Sequence, residues 1–278
     1  MTTAVLFWCY KDPDTCVDRL RLLRHHNPDI PIYVLYGGEP GTSQEMATAL
    51  APYFDDFWSY EEPRKAYFKW KNGDQMITQW FNARGKDLPA WTSLFIMQWD
   101  MLVAGNLGQI LANVPKDACV FGGRKRVSDI REWWIWVHGY KFRKKELLFR
   151  LRLAVKERYF GALYCAPFIL VVVPRSYLKR LAADPYPMLG FLEYRWPTLA
   201  EAWGYLTHFE PGLSAGHTAT ANHYDGPEVD HVVHPHRDPI PVERIKAQLS
   251  RPGGRRLFHP VFDRDDDLDV GELLWNPA

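Results

Sequence analysis

The chain has 278 residues, 47% of them apolar and 24% charged, so it can bury a core without staples as one large α/β domain or two small ones. That profile excludes a disordered or fibrous protein, and a net charge of +1 with no nucleic-acid motif makes nucleic acid the least favoured partner. Four scattered cysteines (Cys9, Cys16, Cys119, Cys165), no basic N-terminal flank and no apolar run near a bilayer's thickness lead us to expect a cytoplasmic protein.

AVLFWCY (4–10) reads as a buried strand, and Asp12, Pro13 and Asp14 open a helix that runs to His25 and His26. IPIYVLYGG (30–38) is a second strand, Ser43 to Leu50 a helix, DFWSY (56–60) a weaker strand and Asp74 to Phe81 a helix. SLFIMQW (93–99) is a fourth strand, ending at Asp100. A short helix over Asn106–Val114 and a strand CVFGG (119–123) follow. Strands alternating with helices imply right-handed crossovers and a mainly parallel sheet, whose ligands bind at the carboxyl ends of the strands. LYCAPFILVVV (163–173) is the most apolar strand, with a helix from Ser176 to Ala183 after it. A further helix is expected from about Pro197 to Trp203, with Pro197 in its first turn.

Charge is unevenly spread. Arg124 to Arg158 holds twelve Lys or Arg against four Asp or Glu, a net +8 that leaves −7 elsewhere. It reads either as a solvated helical face or as a site for phosphates or an anionic lipid surface, so 124–158 is a candidate for peripheral membrane contact. Twelve Trp and fourteen Tyr exceed the needs of a core, and Trp133, Trp134 and Trp136 form either a core patch or a platform for stacking an acceptor. Beyond Pro211 the chain is rich in His, Pro, Gly and Asp, and the tract DRDDDLD (263–269) reads as solvated.

Phosphate-binding loops of the P-loop and dinucleotide types are absent, and Gly37–Gly38 and Gly122–Gly123 read as ordinary turns. Three elements remain in order: Gln98-Trp99-Asp100 at a strand end, LEYRWPTLAEAWGY around Glu193, and GLSAGH ending at His217, 24 residues after Glu193. In order and spacing these resemble the GT-A fold glycosyltransferases, which transfer a sugar from a nucleotide-diphosphate donor. The resemblance spans most of residues 4–217.

It implies a single GT-A-like (Rossmann-like) α/β domain over residues 1–217, with a donor half 1–123, an acceptor half 124–217 and a C-terminal extension 218–278 closing over the site. It further implies that Glu193 is the base and that Asp100 and His217 bind Mn²⁺ or Mg²⁺. Tyr10, Lys11, Asp12, Trp99, Asp100 and Arg124 would contact a UDP- or GDP-sugar, and Trp133, Trp134, Trp136 and Arg195 a saccharide, lipid-linked or small-molecule acceptor. Two departures stand out: Gln98 and Tyr194 replace acids of the family pattern. A metal-independent variant, with Arg124, Lys125 and Arg126 neutralising the diphosphate, therefore stays open. So do the readings of Glu193 as a helix cap or partner of Arg195, of Asp100 as a turn residue, and of His217 as a loop histidine with His223, His231, His234 and His236 as rivals. A nucleotide-sugar binding protein without turnover is the alternative function; a sugar nucleotidyltransferase would need a glycine-rich loop where YKDPDT stands.

Overall fold

The computed structural model describes residues 2–62, 69, 71–89, 91–132, 134–137, 139–208, 239–268 and 270–276. Strand β1 (Thr3–Cys9) is unbrokenly apolar because both of its faces are covered: Ala4, Leu6 and Trp8 enter one core, and Val5, Phe7 and Cys9 the other. Asp12 caps α1 (Pro13–His26) by accepting the Thr15 N–H at 3.3 Å, and Pro13 occupies the first turn, where its missing N–H costs nothing. Then come β2 (Ile32–Tyr36), α2 (Ser43–Leu50), β3 (Asp56–Ser59), α3 (Gly73–Trp80), β4 (Ser93–Gln98), β5 (Leu102–Val103), α4 (Leu107–Ile110) and β6 (Ala118–Phe121). The second half supplies β7 (Lys125–Arg126), α5 (Val127–Ile130), α6 (Gly139–Arg152), β8 (Tyr164–Cys165), β9 (Val171–Pro174), α7 (Arg175–Ala182), α8 (Leu192–Ala202) and β10 (Leu206–His208). A C-terminal part adds α9 (Val242–Leu249), β11 (Leu257–Phe258) and α10 (Gly271–Trp275).

Seven strands form the central sheet in the order β3-β2-β1-β4-β9-β6-β10. All pairings are parallel except those of β9, which runs against both β4 and β6. This is the expected α/β fold with a mainly parallel sheet flanked by helices. α1 packs Cys16, Leu20 and Leu23 on one face, and α3, α7 and α8 pack Trp80, Tyr177 and Trp196 on the other. Each such side chain contributes roughly 1.5–3 kcal/mol when fully buried.

Three expectations are corrected. The run 163–173 is two strands: β8 pairs with β7 away from the central sheet, while β9 joins that sheet, because Pro167 offers no N–H to continue a ladder. The helix begins at Leu192 and carries Pro197 in its interior. The tract 263–269 is not uniformly solvated: Asp265 is buried, bonded to Arg21 at 2.8 Å, and its N–H donates to Asp18 at 3.2 Å.

Candidate functional site

The parallel strands end in step. Backbone N–H groups just past them complete the ladder: Trp99 to the Trp8 carbonyl at 3.0 Å, Gly37 to Cys9 at 2.8 Å and Tyr60 to Tyr36 at 2.9 Å. Since β9 runs the other way, the residues leading into it arrive at this same carboxyl edge, beside the end of β4. Phe168 is therefore brought to Gln98, and the Gln98 amide donates to the Phe168 carbonyl. A carboxylate at position 98 has no proton with which to make that bond, which gives a physical reason for Gln at this position.

Glu193 meets the same segment from α8. Pro197 has no N–H to give to the carbonyl four residues back, and that carbonyl, on Glu193, accepts the Ala166 N–H at 2.9 Å instead. Burial pushes the Glu193 carboxyl up to about 8, against which the nearby Phe168 backbone N–H works only in part. A carboxyl titrating there alternates between base and acid near neutral pH. Phe168 also lays its ring against Trp196 at 4.9 Å and Trp8 at 6.4 Å, so the site is walled by aromatic rings.

Asp100 lies just beyond β4. Its side chain is 14% exposed, with Oδ1 buried and 3.4 Å from His259 Nε2, and its carbonyl accepts the Val261 N–H at 2.8 Å. The chain beyond β11 thus closes on this strand end, and Phe262 stacks on Trp99 at 6.0 Å. Trp99 is buried, its other neighbours being Tyr10 at 5.9 Å and the Lys11 ammonium 4.5 Å from its ring centre. Tyr10, Lys11, Trp99 and Asp100 are therefore assembled at one place. Trp99 serves as a support for Lys11, not as an open stacking face, and Asp12 is engaged as the helix cap.

Asp100 and His259 offer one oxygen and one nitrogen, whereas Mg²⁺ takes six ligands, chiefly oxygens. Among the described residues no group of three or more His, Cys, Asp or Glu is placed to hold a metal. A divalent cation fits here only if phosphate oxygens arrive with it. His217 and its rivals lie outside the described residues, as does Trp133.

Arg124 stands past the end of β6, on the same sheet edge as Asp100 but two strands away from β4. Its guanidinium pairs with Glu201 at 2.6 Å and lies 3.6 Å from the centre of the Tyr164 ring. With Lys125, Arg126, Asp129, Ile130 and Tyr164 it lines a cavity of about 510 Å³. Partial burial lowers the Lys125 ammonium from its usual range.

The described acceptor candidates Arg195, Trp134 and Trp136 are largely engaged within the fold. Arg195 is 1% exposed and pairs with Asp74 at 2.6 Å, because α8 starts early enough to turn it inward toward α3. Trp134 is buried against Tyr194, with ring centres 6.1 Å apart. Trp136 is half-buried, stacked on Phe191 at 4.3 Å with Lys71 over its ring at 4.8 Å. Of the two described indoles, Trp134 is packing and Trp136 alone is left partly toward solvent.

Sequence reasoning overlooked Phe168, His259 and Asp74. Pro167 and Pro197 were the available signals: two prolines that leave backbone groups to be satisfied across, not along, the chain.

No family model matches this sequence, and no curated protein matches it. Among solved structures the chain is similar to the apo structure of WbbM, a bifunctional glycosyltransferase, at 10% identity and a TM-score of 0.47. That similarity takes in 100% of this chain, which spans about half the length of the WbbM chain (50%).

Proposed function

We propose that the chain is a glycosyltransferase of GT-A type that moves a sugar from a UDP- or GDP-linked donor to an acceptor hydroxyl, with Glu193 as base. The observation that supports this reading is that Gln98, at the end of β4, and Glu193, in the first turn of α8, both bond the segment 166–168 at the carboxyl edge of the sheet, and that the Glu193 carboxyl is pushed up to about 8. Acceptor attack needs its hydroxyl proton removed, and a carboxylate with a raised pKa does this well at neutral pH. Breaking the anomeric C–O bond puts negative charge on the diphosphate, so a cation opposite it is the largest expected term. Asp100, with His259 behind it, would hold one face of a Mn²⁺ or Mg²⁺ that carries the donor diphosphate and neutralises that charge. Lys11 contributes a fixed positive charge over Trp99 at the same strand end. His217 is retained as a further metal ligand, and Tyr10 and Asp12 as donor contacts, within this proposal.

The test is release of nucleoside diphosphate from UDP- and GDP-sugars, with Mn²⁺ and with a chelator, without added acceptor. Slow hydrolysis that Asp100→Ala abolishes, with a melting temperature within a few degrees of wild type, is the expected result. Thermal stabilisation by a nucleotide sugar with no turnover of any donor would overturn transfer in favour of the binding protein. Unfolding of Asp100→Ala would make Asp100 structural.

A further inference from the structure

α6 is apolar on two opposite faces. Its inward face buries Phe149, beside Tyr194 at 5.6 Å, and Leu153 follows in the same core. Roughly half a turn around the helix, Leu147, Leu151 and Val155 recur every four residues and are 58%, 52% and 73% exposed, with Leu148 beside them at 40%. The chain leaves this helical stretch at Arg158, in a left-handed conformation (φ 53°), and Phe160 follows at 84% exposure. Five of the nine large apolar side chains that are exposed among the described residues therefore lie within fourteen positions of one another. A stripe of this kind has something to bury it in the working protein.

The charges around the stripe say what covers it. Arg143, Lys144, Arg150, Lys156 and Arg158 are all exposed. The two carboxylates of the segment 139–160 are turned to internal use: Glu146 takes Arg131 and Arg150, and Glu157 takes Arg152, Arg180 and the Trp203 indole N–H at 2.9 Å. What faces outward is thus leucine and valine ringed by cations, with long Lys and Arg stems able to reach past an apolar surface to phosphate groups. A second copy is a poor occupant, because a two-fold contact sets this patch against itself and opposes like charges. No helix among the described residues is long and apolar enough to cross a membrane, so the contact is one of lying on a surface.

We infer that the outward face of α6 and of the helical turn Leu153–Glu157 that continues it, Leu147, Leu148, Leu151 and Val155 with Phe160 beyond, docks this protein on an anionic phospholipid bilayer. This inference does not rest on glycosyl transfer at the sheet edge and survives if that reading fails.

The experiment is vesicle co-flotation of the full chain, comparing phosphatidylcholine alone with phosphatidylcholine containing about 30% phosphatidylglycerol. Wild type should float with the anionic vesicles, stay behind with the neutral ones, and lose at least about tenfold in partitioning at roughly 0.5 M salt, where the charges are screened. Leu147→Glu combined with Leu151→Glu should cut partitioning at least about tenfold at low salt with an unchanged melting curve, as expected of exposed positions. Arg143→Gln with Lys144→Gln should give a smaller loss in the same direction. Equal partitioning of wild type and the leucine variant, or equal binding to neutral vesicles, would overturn the inference. So would a wild-type dimer in sedimentation that the leucine variant dissolves.

Discussion

Gln98 and Glu193 both hold the short segment leading into β9: the Gln98 amide donates to the Phe168 carbonyl, and the Glu193 carbonyl accepts the Ala166 N–H at 2.9 Å. The segment 166–168, ahead of β9, thereby ties the end of β4 to the first turn of α8, elements that lie almost a hundred residues apart in the chain (98 and 193). The candidate base inherits its position from the carboxyl edge of the sheet.

Because the Glu193 carboxyl sits at about 8, against an ordinary value of 4.5, the deprotonated base becomes dominant only above that pH. Turnover should rise with pH toward about 8 and level beyond it, and Glu193→Gln should remove both the turnover and the rise. The stability sign is the reverse. The folded state favours the proton, so this contribution is full below the ordinary carboxylate range and is lost as pH rises through about 8. Melting curves should accordingly show Glu193→Gln gaining steadily on wild type from about pH 5 up to about pH 8 and level above that, with little difference at about pH 4. A difference in melting temperature that is flat with pH would contradict the assignment.

Gln98→Glu puts an acid at the strand end but takes away the donor to the Phe168 carbonyl. Leaving that acceptor unmatched should cost about 1–3 kcal/mol, read as a lower urea midpoint at unchanged slope. An unshifted midpoint would show that the Gln98 tether is unimportant.

Asp74 and Arg195 form a buried pair, and burial raises the Asp74 carboxyl even with the guanidinium beside it. Arg195 Nε and Nη1 have no hydrogen-bond partner among the described residues, so Asp74 is its main compensation. Asp74→Ala should therefore destabilise by about 3–5 kcal/mol, while Asp74→Leu combined with Arg195→Met should recover most of that loss. A double variant as unstable as Asp74→Ala alone would mean the pair does more than balance charge.

At Gly73, which opens α3, a β-carbon would lie 2.1 Å from Cη2 of Trp8. Gly73→Ala must displace that indole, which also faces Phe168. A loss of about 1–3 kcal/mol with altered tryptophan fluorescence is expected. Wild-type stability and an unchanged emission spectrum would refute the close approach.

Read alone, the sequence determined what depends on near neighbours: the strands β1, β2, β3, β4 and β6, the cap at Asp12, and the mainly parallel α/β sheet, because apolar runs and capping residues act over a few positions. It also singled out Asp100, as an acid amid apolar residues at a strand end, and Glu193, as the acid ahead of a helix. It misread the run 163–173 as one strand and placed the start of α8 at Pro197, since nothing local says that Ala166 will supply the hydrogen bond the proline cannot. Arg195 looked available and Asp265 solvated for the same reason: their partners, Asp74 and Arg21, come from distant segments. Only the tertiary structure decided which backbone and charged groups satisfy one another, because burial makes those pairings obligatory and burial is a property of the whole fold.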